Sequence, residues 1–79
     1  MEPIRIRMST IDDVKHFVTQ ANAQVSDIDV VSGRYLVDAK SLLGLFSLDL
    51  RKPLLIEVDG GEEQVDSFMH EIGSVVLAS

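Results

Sequence analysis

Residues 54–76 read LLIEVDGGEEQVDSFMHEIGSVV and contain the clearest helix of the chain, preceded by a strand. Residues 54–58 form a short apolar run, and an aspartate and two glycines end it, which predicts a strand followed by a turn. Two glutamates then stand at the start of the helix, where the helix dipole favours negative charge. One apolar stripe at helical spacing predicts that this helix packs on a core: Val65, Phe68, Met69, Ile72, Val75 and Val76.

The first part of the chain predicts a strand and a second long helix. Residues 3–8 alternate apolar and basic side chains with a period of two, as in a strand with one exposed face. Ser9 or Thr10 supplies an N-cap for a helix over residues 11–23. With Phe17 on the flank, we expect one stripe of this helix to face the core: Ile11, Val14, Val18, Ala21 and Val25.

Residues 28–48 predict a hairpin and a short helix. Runs of β-forming residues flank a tight turn predicted at Ser32 and Gly33. Residues 40–48, KSLLGLFSL, predict a short helical segment with Ser41 as its N-cap. The element order is then βαββαβα, which predicts an α+β fold: one antiparallel four-stranded sheet covered on one face by three helices.

The composition predicts a single small domain in the cytoplasm. Seventy-nine residues leave room for one core, so residues 1–79 are expected to form one domain. The chain has no cysteine, which excludes disulfides and thiol chemistry. Thirteen acids against seven bases give a net charge of −6, which argues against nucleic acid as a partner. The chain lacks an apolar run like a signal peptide or a membrane span, so we expect a cytoplasmic protein without membrane association.

Residues 40–48 resemble a signature of the HPr family, the phosphocarriers of the phosphoenolpyruvate:sugar phosphotransferase system. That signature reads lysine, serine, two apolar residues, glycine, two apolar residues, serine and leucine, and KSLLGLFSL matches it throughout. The predicted element order also agrees with the family's βαββαβα open-faced sandwich, and the resemblance covers essentially the whole chain. It implies an HPr-like fold.

The same resemblance implies that this chain is a divergent member without the active-site histidine. The family carries its phosphoryl group on a histidine at the start of the first helix, with an arginine two residues further on. Alignment of Gln20 and Ala21 with the family's helix places Ile11 at the histidine position and Asp13 at the arginine position. Isoleucine has no phosphoryl acceptor, and the carboxylates there would repel phosphate. We therefore expect no histidine phosphoryl transfer and no catalytic residue.

The two histidines of the chain do not replace the missing one. His16 lies nearly opposite the apolar stripe of its helix and His70 lies outside that of the last helix, so both are predicted to be exposed. The sequence also offers no nucleophile and base pair, no cofactor motif and no metal-ligand spacing. We expect no enzyme activity, no cofactor and no metal.

Two features of residues 40–48 remain as candidates for function. Ser41 matches the regulatory serine that a dedicated kinase phosphorylates in many Gram-positive relatives, although a role as N-cap alone also accounts for it. The short helix is apolar nearly all round, so part of it should be exposed. The resemblance assigns Leu42, Leu43 and Phe46 to a docking patch for a protein partner, with incidental exposure as the alternative.

The leading interpretation is a non-catalytic HPr-like protein, regulatory or protein-binding and related to the phosphotransferase system. Its candidate partners are phosphotransferase-system components or a serine kinase, bound through the short helix near Ser41. One alternative is an ordinary phosphocarrier protein, which the missing histidine disfavours. The other is a small domain of unknown function on a repurposed HPr fold.

Overall fold

The computed structural model describes residues 4–77. Its elements confirm the predicted order, and a 3₁₀ turn at Gly73–Val75 follows the last helix. The predicted first strand also included Pro3, which lies outside the described residues. The strands are β1 (Ile4–Ile6), β2 (Ile28–Ser32), β3 (Tyr35–Asp38) and β4 (Leu54–Val58), and the helices are α1 (Ile11–Asn22), α2 (Leu42–Phe46) and α3 (Glu62–Glu71).

The four strands form one sheet in the order β1-β4-β2-β3, and every neighbouring pair is antiparallel. Ile56 of β4 lies opposite Ile4 of β1 on one side and opposite Val30 of β2 on the other. The three helices cover one face of this sheet and leave the other face open, which confirms the predicted α+β open-faced sandwich.

A tight turn connects β2 to β3 on one side of the sheet, and a segment of chain lies along the edge strand β1 on the other. The β2–β3 hairpin turns through Gly33, whose φ of +58° is a left-handed conformation that glycine adopts without strain. The predicted turn began one residue earlier, at Ser32, which instead pairs with Tyr35 inside the ladder. At the opposite edge the Leu77 amide donates to the Arg5 carbonyl at 2.9 Å, so the chain following the 3₁₀ turn runs along β1.

The core lies between the sheet and the helices. Its centre is an edge-to-face contact between Phe17 of α1 and Phe68 of α3, with ring centroids 5.6 Å apart. Such an aromatic pair contributes about 0.5–1.5 kcal/mol of stability beyond the contribution of the surface area that the rings bury. The cluster of buried residues draws on all three helices and on the strands except β3: Ile6, Met8, Val14, Phe17, Ala21, Ile28, Val30, Ala39, Leu45, Leu54, Ile56, Phe68, Ile72 and Val75.

The phase predicted for α1 was wrong at three positions. Phe17 was expected on the flank but is fully buried at the centre of the core. Ile11, the first residue of the helix, is 62% exposed. Val25 is 96% exposed because α1 ends at Asn22, so the helical spacing no longer applies to it. The buried face of α1 therefore follows Val14, Phe17 and Ala21.

Phe68→Ala should lower the free energy of unfolding by about 3 to 5 kcal/mol, because the substitution opens a cavity against Phe17. His70→Ala is the control on the same helix and should change stability little, because His70 is exposed. Urea denaturation of both variants measures the difference. Equal losses would contradict the packing described for α3.

Candidate functional site

α2 is a short helix that leaves part of its apolar surface in solvent. Ser41 caps it, since the Ser41 Oγ accepts a hydrogen bond from the Gly44 amide at 3.1 Å. Leu45 is fully buried, whereas Leu43 is 84% exposed and Phe46 is 42% exposed. Because only one face of a helix this short can pack on the sheet, the opposite face stays in solvent. The expected exposed apolar surface on this helix is confirmed.

The three residues predicted for the docking patch divide between two faces of α2. Leu43 and Phe46 are three positions apart and lie on the exposed face. Leu42 is three positions before the buried Leu45, shares its side and packs against the core. The exposed patch therefore consists of Leu43 and Phe46, with the half-buried Leu42 beneath it.

α2 runs antiparallel to α1. At its start, the Asn22 Nδ2 of α1 donates to the Lys40 carbonyl at 3.3 Å, and the Lys40 Nζ donates to the Gln24 carbonyl at 3.1 Å. At its other end, Phe46 lines a cleft together with Ile11, the first residue of α1. These contacts place the end of α2 beside the beginning of α1.

The cleft between these helix ends has a volume of about 400 Å³. Two arginines stand at its edge: the Arg7 Nη2 donates to the Arg51 carbonyl at 3.0 Å, and the Arg51 side chain pairs with Asp49 at 3.0 Å. The hydrogen bond from Arg51 holds the pKa of the Asp49 carboxyl below its ordinary value. Apolar and hydroxyl side chains supply the rest of the lining: Met8, Ser9, Thr10, Ile11, Val14, Phe46 and Leu50.

The beginning of α1 is closed by a capping box. The Thr10 Oγ1 accepts from the Asp13 amide at 3.0 Å, while the Asp13 Oδ2 accepts from the amides of Ser9 at 3.0 Å and Thr10 at 3.2 Å. The bond from the Ser9 amide is the main reason that the pKa of Asp13 lies below its ordinary value. The ionised carboxylate therefore stabilises the fold at pH values above its unfolded-state pKa. This contribution is lost as the pH falls through the lower folded-state pKa.

The structure brings some of the predicted residues together and separates others. Ile11 and Asp13, the residues aligned with the family's histidine and arginine, lie at the same end of α1 as Phe46. Ser41 lies at the opposite end of α2 and does not line the cleft. The amides of Ser9 and Thr10 are already bound by a carboxylate of the chain itself.

Both histidines are exposed, as predicted. The His16 Nε2 donates to the Glu71 carbonyl at 3.0 Å, which ties the middle of α1 to the end of α3. Sequence reasoning missed this contact because the two residues are 55 positions apart and no local pattern connects them.

Sequence reasoning also missed the two arginines at the cleft. A signal for Arg7 exists in the sequence, since Arg7 continues the alternation of the first strand and stands three residues before the N-cap Thr10. The sequence carries no such signal for Arg51, because Arg51 belongs to the loop before β4. It comes within hydrogen-bonding distance of Arg7 only because β1 pairs with β4.

Comparison with known proteins leaves the family open, since no family model matches the sequence and no curated protein is significantly similar to it. Within residues 4–77, no group of three histidine, aspartate or glutamate side chains has the geometry of a metal site. None of the helices in this part of the chain is both long enough and apolar enough to cross a bilayer.

Gly44→Ala should destabilise the protein, although alanine favours a helix interior over glycine by about 1 kcal/mol. A Cβ at this position would lie 2.5 Å from the Val37 Cγ1, and the branched valine side chain has little freedom to move. Val37→Ala is the matched background, in which the same glycine substitution should become neutral or stabilising. A double-mutant cycle by urea denaturation measures the coupling. A gain in stability from Gly44→Ala alone would show that α2 does not rest on β3 as described.

Proposed function

We propose that this chain is a non-catalytic HPr-like protein that binds a protein partner through α2 and the adjoining cleft. The observation that carries the proposal is the exposed pair Leu43 and Phe46, next to a cleft that also holds the exposed Ile11. Clustered apolar side chains in solvent are a common mark of protein interaction sites. The proposal includes a cytoplasmic location and phosphotransferase-related partners, for which the support is the resemblance in residues 40–48.

The chemistry at the beginning of α1 supports a role without phosphoryl transfer. An isoleucine side chain offers no atom that can accept a phosphoryl group, and Ile11 occupies the position where the resemblance puts the acceptor. The neighbouring carboxylate of Asp13 takes the hydrogen bonds from two amides that could otherwise hold a phosphate. A phosphate dianion that approached the same amides would come close to the Asp13 carboxylate, and the two negative charges would repel each other.

Ser41 fits a regulatory position in this proposal. Its hydroxyl is half-buried and serves as the cap of α2. A phosphate there would add a charge of about −1.5 to −2 two residues from Leu43 on the exposed face of the helix. Charge beside an apolar contact raises the cost of removing water from it, so modification would weaken partner binding.

Enzyme I with phosphoenolpyruvate should leave this protein unlabelled, because Ile11 replaces the acceptor histidine. Labelled phosphoenolpyruvate tests this, with an ordinary HPr protein as the positive control. Ile11→His alone should remain inert, since Asp13 still opposes the phosphate, and a second substitution, Asp13→Arg, is expected to be needed. Stoichiometric acid-labile label on His16 or His70 would contradict the proposal.

Leu43→Ser combined with Phe46→Ser should keep the fold and abolish partner binding, because both side chains face solvent. Capture of enzyme I and of the serine kinase from the native host's lysate measures binding, and circular dichroism measures folding. Val25→Ser is the matched control, since Val25 is exposed but lies outside the cleft.

Ser41→Asp should weaken the same capture, in the direction expected of phosphorylation. Two results would contradict the proposed surface. One is capture by the double variant equal to that of the wild type, and the other is loss of the fold in that variant.

A further inference from the structure

The open face of the sheet carries a row of apolar side chains that no part of residues 4–77 covers. Val31 of β2 lies opposite Leu55 of β4 and opposite Leu36 of β3, so the three side chains stand next to one another on one face. Leu36 is 64% exposed, Leu55 is exposed and Val31 is half-buried. Three adjacent apolar residues form a continuous surface rather than scattered exposure.

A row of carboxylates runs beside these apolar residues. Asp29 of β2 lies opposite Glu57 of β4 and opposite Asp38 of β3, two positions along each strand from the apolar row. Like charges directly opposite one another destabilise a sheet. Arg5 of β1 lies opposite Leu55 on this face, but within residues 4–77 no lysine or arginine side chain lies within ion-pair distance of the three carboxylates. The Asp38 Oδ1 accepts a hydrogen bond from the Lys40 amide at 2.9 Å.

The spacing of the two rows suits one amphipathic helix. Neighbouring strands lie about 4.8 Å apart, so three carboxylates on adjacent strands span roughly 10 Å. Side chains seven residues apart on a helix are separated by about 10.5 Å along its axis. The apolar and acidic rows are about 7 Å apart along the strands, and a helix with its side chains is about 10–12 Å wide, so it can contact both.

We propose that the open face binds an amphipathic helix of a partner protein, one that carries lysine or arginine side chains beside its apolar stripe. Charge complementarity selects this occupant: cations would neutralise Glu57, Asp29 and Asp38 while the apolar stripe covers Leu55, Val31 and Leu36. A second copy of this chain brings a net charge of −6 and its own acidic row, and nucleic acid would be repelled by the same carboxylates.

This inference does not rest on the function proposed for α2. The open face lies on the opposite side of the sheet from the helices, so a partner on one surface leaves the other accessible. Substitutions on α2 therefore test the proposed function, and substitutions on the open face test this inference, so either one can be contradicted without the other.

The test uses a synthetic amphipathic helix of about 18 residues, with a leucine stripe and lysines beside it. A second peptide carries glutamate in place of each lysine. Isotope-labelled protein is titrated with each peptide, and backbone amide shifts are followed by NMR. The lysine peptide should shift amides of β2, β3 and β4, more strongly at low salt than at high salt, whereas the glutamate peptide should not bind.

Two variants identify the contacts. Asp29→Asn with Glu57→Gln should weaken binding of the lysine peptide by about tenfold, and Leu36→Ser should weaken it without changing the salt dependence. Glu63→Gln with Asp66→Asn is the matched control, because it removes the same charge from α3 on the covered side of the sheet and should leave binding unchanged.

Three outcomes would overturn the inference. The first is an absence of shifts on the sheet at millimolar peptide. The second is an equal loss of binding in the control variant, which would mean that net charge alone attracts the peptide. The third is concentration-dependent dimerisation of the free protein with its interface on β2, β3 and β4, measured by sedimentation and amide shifts.

Discussion

The structure depends on the insertion of β4 between β1 and β2. β4 is the last strand within residues 4–77, yet it pairs with β1 on one side and with β2 on the other, so the sheet forms only when residues 54–58 insert between them. The same insertion brings Ile56 between Ile4 and Val30 on the covered face, where α1 and α3 close over it. Contacts between residues this far apart in sequence must offset the entropy of closing the chain.

The pairing also determines both candidate surfaces. It brings the loop with Arg51 next to Arg7, which forms the edge of the cleft between α1 and α2. On the reverse side it lines up Leu55 with Val31 and Glu57 with Asp29, which forms the two rows of the open face. A shift of one residue in this register would move the side chains of β4, Leu55 and Glu57 among them, to the other face of the sheet.

The two surfaces have different chemistry. The surface at α2 is apolar and has two arginines at its edge, whereas the open face combines an apolar row with three carboxylates. The beginning of α1 belongs to the first surface, and it contains Ile11, the residue that the resemblance aligns with the phosphoryl-accepting histidine. There Asp13 serves the helix as part of a capping box, and its carboxylate occupies the amides of Ser9 and Thr10. The same residue thus stabilises the fold and places a negative charge at the beginning of α1.

By itself the sequence determined the elements and their order, because period-two and helical spacing are local properties of the chain. Leu54–Val58 was predicted with its observed bounds, since Pro53 and the glycines that follow Asp59 end the strand locally. The exposed apolar face of α2 could also be predicted, because the segment contains more apolar residues than one short helix can bury. Phe17 and Ile11 were misplaced, because the phase of a helix against a sheet depends on where its neighbours lie.

Only the tertiary structure decided the strand order, the cleft and the alignment of Glu57, Asp29 and Asp38. These features join residues on different strands and loops. A sequence specifies which face of a strand is apolar, whereas the register that places one side chain opposite another is settled by packing of the whole sheet against its helices.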